Sequence, residues 1–250
     1  KKDQSPADLA LEPSCFFLPL AQAKLFLLEC VPTGAFKMVA GYKKHLSTSV
    51  SSLKSMNISL IHPAGSNWMP GKKDVSVTAN RMAPLGLLSM AAYLEEKGHS
   101  VQVLDCLGPK PPKDAAETAR RVLASGPDLV GLTATTSGFW DGYSIAAALK
   151  AKQADIPIVF GGVHVSALGA SLLERFPLIN FLCLGEGEQT LYELAEGCAA
   201  ASINGLVWRD GETVRSNPPR EHIADLDSLP FPAYEKLAGF PGQYHLPLFS

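Results

Sequence analysis

Three stretches of glycine, serine and threonine stand where short apolar runs end: Thr133-Ala134-Thr135-Thr136-Ser137-Gly138, Gly161-Gly162-Val163-His164-Val165-Ser166 and Gly185-Glu186-Gly187-Glu188. Glycines let a ligand approach the backbone, hydroxyls donate and accept hydrogen bonds, and a helix starting just after such a loop offers free N–H groups to an anion. These residue types suit the capture of a bulky ligand with a phosphate-bearing tail. Glycine and serine are also ordinary turn and capping residues, so the coincidence of three such loops carries the expectation. The binding set they define is Thr133, Thr135, Thr136, Ser137, Gly161, Gly162, His164, Gly185, Glu186 and Gly187.

Asp105, at the end of an earlier apolar run, joins that set as a carboxylate able to accept a ligand hydrogen bond, although Asp at such a place is equally a turn former. Glu188 reads as an acid that complements the dipole of the helix it opens, while Glu186 stays open to either role. No nucleophile lies beside a base, so no catalytic residue is expected. The six histidines, His62 and His164 among them, read as hydrogen-bonding residues, and none is assigned as a metal ligand.

The elements that must position these loops follow from periodicity. From Asn57 onward, apolar runs of strand length at 57–62, 100–105, 128–133, 156–160 and 179–184 alternate with helical spacing at 84–98, 113–125, 139–153, 166–175 and 188–200. In the last helix Leu191, Leu194, Ala195 and Cys198 fall on one face. Five βα units in sequence predict an α/β fold: a flavodoxin-like, Rossmann-type five-stranded parallel sheet with helices on both faces, in the order 2-1-3-4-5. The ligand crevice of such a sheet lies beyond the carboxyl ends of the strands, where the order reverses. After the fifth helix, Leu206–Arg209 and Glu212–Arg215 around Asp210-Gly211 predict a small β-hairpin. The Pro-rich residues 216–250 predict an extended linker that depends on a neighbour for its order.

Residues 1–55 lack the alternation and end in a polar serine-rich run, which predicts a disordered or non-native leader before an α/β domain over 56–203. With 46% hydrophobic and 18% charged residues the chain can bury one sizeable core. The formal net charge of −2 and the lack of a basic tract argue against nucleic acid. The apolar stretch from Cys15 to Val31 is interrupted by Gln22, Lys24 and Glu29, so no membrane span is expected. Five cysteines without close C-x-x-C spacing fit reduced thiols in a cytoplasmic protein.

Several ligands of this sheet class are excluded by their own motifs. The first strand runs into His62-Pro63-Ala64-Gly65-Ser66-Asn67, without the G-x-G-x-x-G of dinucleotide binding. Gly65 to Gly71-Lys72-Lys73 has the wrong spacing for a nucleotide triphosphate loop. A receiver-type phosphoacceptor needs Asp where Thr133 and Ala134 stand.

Further segments resemble one family. Ala83-Pro84-Leu85-Gly86-Leu87-Leu88, Pro127-Asp128-Leu129-Val130-Gly131-Leu132-Thr133, Gly161-Gly162-Val163-His164 and Gly185-Glu186-Gly187-Glu188-Gln189-Thr190-Leu191 resemble, in order and spacing, the amino-terminal half of cobalamin-dependent radical S-adenosylmethionine enzymes, a family of methyltransferases and cyclases. Ile223 to Tyr234 is similar to the family's linker. The resemblance covers about 56–250 and implies a cobalamin-binding domain in which the three loops accept the cofactor's nucleotide tail. It also implies a radical S-adenosylmethionine domain with a 4Fe-4S cluster and S-adenosylmethionine beyond residue 250, with Tyr244–Ser250 leading toward it. The cluster's C-x-x-x-C-x-x-C motif is absent from this chain, which is expected to bind cofactor without turnover. The D-x-H-x-x-G motif that supplies a cobalt ligand in other cobalamin proteins is missing too. A stand-alone corrinoid-binding or sensor module is the alternative, and a nucleotide-sugar or flavin enzyme on the same fold is a third.

Overall fold

A computed structural model describes residues 55–65 and 82–244. The expected leader over 1–55, Ser55 excepted, and the last residues of the linker, 245–250, lie outside the described residues.

The apolar run Asn57–His62 forms β1, buried on both sides as a central parallel strand must be. It pairs with β2 (Ser100–Asp105) from Asn57↔Ser100 to His62↔Asp105, and with β3 (Leu129–Thr133) from Ile58↔Leu129 to Ile61↔Leu132. β4 (Ile158–Gly161) and β5 (Phe181–Cys183) continue the parallel sheet. The expected hairpin forms as β6 (Leu206–Asp210) and β7 (Thr213–Ser216), and it extends the same sheet, with β6 antiparallel to β5. The order is β2-β1-β3-β4-β5-β6-β7, so five parallel strands become a seven-stranded mixed sheet.

Helices cover both faces. α1 (Leu85–Glu96) and α6 (Glu188–Ala195) lie on one face with Ile58, Leu60, Leu129 and Val159. α2 (Ala115–Leu123), α3 (Phe139–Lys152), α4 (Val163–Leu168) and α5 (Ala170–Arg175) lie on the other with Ile61, Val130, Leu132 and Phe160. The alternation along each strand divides its side chains between these two cores. α2 starts where Asp114 caps it, its carboxylate accepting from the Glu117 N–H at 2.8 Å.

The single helix expected over 166–175 is two short helices, because Gly169 adopts φ +56° between them and breaks the helical path. The helix expected over 188–200 stops at Ala195, and Cys198 is therefore exposed instead of sharing the buried face of Leu191 and Ala195. The Pro-rich segment finds its order on its own chain: the Ala233 N–H donates to the Leu88 carbonyl at 3.1 Å, Lys236 reaches Glu95 at 2.6 Å, and Leu237 and Tyr244 are buried with Leu88.

Candidate functional site

The strand order reverses between β1 and β3, and there, from the face of the sheet out to the loops at the strand ends and beside α1 and α6, lies a cavity of about 380 Å³. Its floor comes from alternate residues of four strands, Leu60, Gly131, Val159 and Cys183, and its walls from Leu85, Leu87 and Met90 of α1 and Leu191 of α6. Gly131 lets the Leu60 side chain lie across the floor, since a Cβ there would come within 2.8 Å of Leu60 Cδ2. A Cβ at Gly187 would likewise meet Met90 Sδ at 2.8 Å. At Gly162 the backbone turns with φ +97°, and a Cβ would meet the Ala134 carbonyl and Thr133 Oγ1, both at 2.8 Å, so only glycine fits.

The lining is apolar below and polar at the rim. Burial pushes the Cys183 thiol up to about 12, so the floor carries no thiolate at neutral pH. Glu186 accepts from the Ile223 N–H at 2.7 Å and pairs with His222 Nδ1 at 3.1 Å; the backbone hydrogen bond, foremost, holds its carboxyl below the usual range. Glu186 thereby fastens the C-terminal segment to the rim. Glu188 accepts from the Ser89 hydroxyl at 2.8 Å and so ties α6 to α1. Such a slot can bury a flat apolar group and meet a polar one at its mouth. Among the described residues no group of three or more His, Cys, Asp and Glu side chains could hold a metal ion.

Thr133, Thr135, Gly161, Gly162, Gly185, Glu186 and Gly187 are brought together along this cavity. Thr136, Ser137 and His164 are not: Thr136 pairs with His164 Nδ1 at 3.2 Å, Ser137 with Thr135 at 3.1 Å, and the His164 ring lies 4.9 Å from Phe139 of α3. Asp105 is buried at the end of β2 and bonded to His62, Leu107 and Tyr244. Sequence reasoning missed the apolar lining, and it read His62 as a hydrogen-bonding residue without placing it at the cavity. A signal existed for Gly131, because a glycine inside an apolar strand marks a close approach. Leu60, Met90 and Leu191 looked like any core residue.

The B12 binding domain family matches residues 71–195, half of the chain. An uncharacterized methyltransferase of Pyrococcus horikoshii is 32% identical over 189 residues, which are 74% of this chain and 39% of that protein. An anaerobic magnesium-protoporphyrin IX monomethyl ester cyclase of Synechocystis is 30% identical over 173 residues, 66% of this chain and 32% of that one. The radical S-adenosylmethionine methyltransferase TsrM from Kitasatospora setae, solved with cobalamin and a 4Fe-4S cluster bound, matches at a TM-score of 0.53 and 25% identity over 73% of this chain and 32% of its own. The cobalamin-dependent S-adenosylmethionine radical enzyme OxsB, with aqua-cobalamin bound, shares the fold at a TM-score of 0.59 and 19% identity, over 72% of this chain and 24% of its own. The chain thus spans well under half the length of these relatives. Its matched half contains most of the cavity's lining, and the chain belongs to the B12 binding domain family, with similarity to a cobalamin-dependent radical S-adenosylmethionine methyltransferase.

Proposed function

We propose that residues 56–203 hold cobalamin within a longer radical S-adenosylmethionine enzyme of methyltransferase or cyclase type, and that 204–250 lead toward its radical domain. The observation that carries this reading is the glycine-kept slot at the reversal of strand order. A nucleotide tail ending in a flat aromatic base needs an apolar slot with hydrogen-bonding groups at its mouth. Leu60, Gly131, Val159 and Leu191 supply the slot; Thr133, Thr135 and the loops at Gly161-Gly162 and Gly185–Gly187 supply the mouth. A side chain at Gly131 would push Leu60 out of its place in the slot's floor.

Bound cobalamin would supply cobalt for methyl or electron transfer, while a 4Fe-4S cluster and S-adenosylmethionine would belong to the radical domain of the longer protein. This chain's residues bury and orient the tail and keep water from it. No helix among the described residues is long and apolar enough to cross a membrane. The free thiols of Cys106, Cys183 and Cys198 support a reducing compartment, the cytoplasm.

Titration of the full 250-residue chain with hydroxocobalamin, followed by visible absorption, tests the reading. Saturable binding is expected, and Gly131→Phe should abolish it while circular dichroism stays native. A folded chain that binds none, or a Gly131→Phe variant that binds as well as the parent, overturns the assignment.

A further inference from the structure

His62 ends β1, two residues after Leu60 and on the same face of the sheet, so both line the cavity. The parallel register sets it beside Asp105, and its Nδ1 lies 2.9 Å from Asp105 Oδ1. The Asp105 side chain is only 3% exposed. It also accepts from the Leu107 N–H at 3.0 Å and from the Tyr244 hydroxyl at 2.9 Å.

A carboxylate can only accept, so Nδ1 carries the proton of the neutral ring and Nε2 carries the lone pair. Nε2 has no hydrogen-bond partner among the described residues, and the His62 side chain is 21% exposed at the cavity. A histidine whose one nitrogen is fixed by a carboxylate, with the other left open, is built to give that lone pair to a ligand. Tyr244 arrives from the C-terminal segment and is itself buried. Its hydroxyl is admitted by Gly108, where a Cβ would lie 2.9 Å from Tyr244 Oη.

We propose that His62 Nε2 donates its lone pair to the bound corrinoid, and that Asp105 and Tyr244 are positioning residues that hold the ring in the tautomer this requires. The recipient is an electron-pair acceptor of the cofactor, either its cobalt or an N–H of a peripheral amide. The arrangement couples the C-terminal segment that carries Tyr244 to the cavity, because a contact that seats that segment also orients the cavity's histidine. This inference rests on the cobalamin reading above.

The test uses the full chain labelled with nitrogen-15 in its histidine rings, with His62→Gln identifying the His62 signals. Long-range proton–nitrogen spectra of the free protein should show the Nδ1–H tautomer, and saturation with hydroxocobalamin should shift Nε2. With the cobalt reduced to the divalent state, a nitrogen splitting in the paramagnetic resonance spectrum that changes on labelling assigns the lone pair to cobalt. No change in that splitting, with Nε2 still shifted, assigns it to an amide. Asp105→Asn should weaken binding by roughly 10-fold or more with loss of the single tautomer, and Tyr244→Phe should weaken it by less and shift the Nδ1–H signal while the tautomer is kept. Merely structural roles would lower stability and leave the tautomer and the shifts of the His62 nitrogens unchanged. Saturable binding with unmoved His62 nitrogens overturns this inference alone, whereas no saturable binding overturns the functional reading with it.

Discussion

The two faces of one sheet are built to opposite ends. On the side of α2 to α5, Val130, Leu132, Ile158 and Phe160 meet Phe139, Ile145 and Leu149, all at most 4% exposed. On the side of α1 and α6, β3 presents Gly131 between Val130 and Leu132, Leu60 lies across it, and the cavity opens over this floor. The same strands supply both faces, so the difference is set residue by residue through the two-residue alternation. The first face is filled by side chains, and the second leaves the slot proposed for the cofactor's tail.

The largest effect that would break this comparison is on the filled face. Phe160 is wholly buried, and its ring lies 5.9 Å from that of Phe139. Phe160→Ala should cost about 3–5 kcal/mol in denaturant unfolding. A cost below about 1 kcal/mol would remove the contrast between the faces.

Acid should act next, on the rim of the open face. The folded-state carboxyl of Glu186 is held below its ordinary value, so the stabilisation is fully present above that value and is lost as pH falls through the lower folded one. In a His222→Gln background, which removes the neighbouring imidazole, the Ile223 amide resonance should therefore be constant above about pH 5 and move only in more acidic solution, given the usual carboxylate range. A midpoint near neutrality, or the same titration in Glu186→Gln, would show that another group fastens the segment.

The smallest expected change in stability belongs to Leu85, a wall residue that is 55% exposed. Leu85→Ala should leave the unfolding free energy within about 0.5 kcal/mol of the parent and still weaken cobalamin binding several-fold. Equal binding by the variant and the parent would confine the site to the floor and the loops.

Much of this was legible along the chain. The strands came through because apolar runs such as Asn57–His62 and Leu129–Thr133 end at turn-forming residues, and such signals act over a few neighbours. The helix break at Gly169 was missed because apolar spacing on either side runs through it, and only the backbone angle there reveals the stop. The loop glycines around the cavity were visible as a composition, which Thr136, Ser137 and His164 share although they do not line it: the His164 ring packs on Phe139 of α3 and bonds to Thr136, and Ser137 bonds to Thr135.

The sequence by itself determined the α/β class, the order of elements, the strand-end loops and the family resemblance, because periodicity, turn chemistry and motif spacing are local properties of the chain. The tertiary structure alone decided which side chains share the cavity, that the hairpin lengthens the sheet, and that Asp105 serves His62 and Tyr244 at sequence separations of 43 and 139 residues. Those contacts follow from parallel register and from where the C-terminal segment seats, and both are settled by the free energy of burying the whole domain.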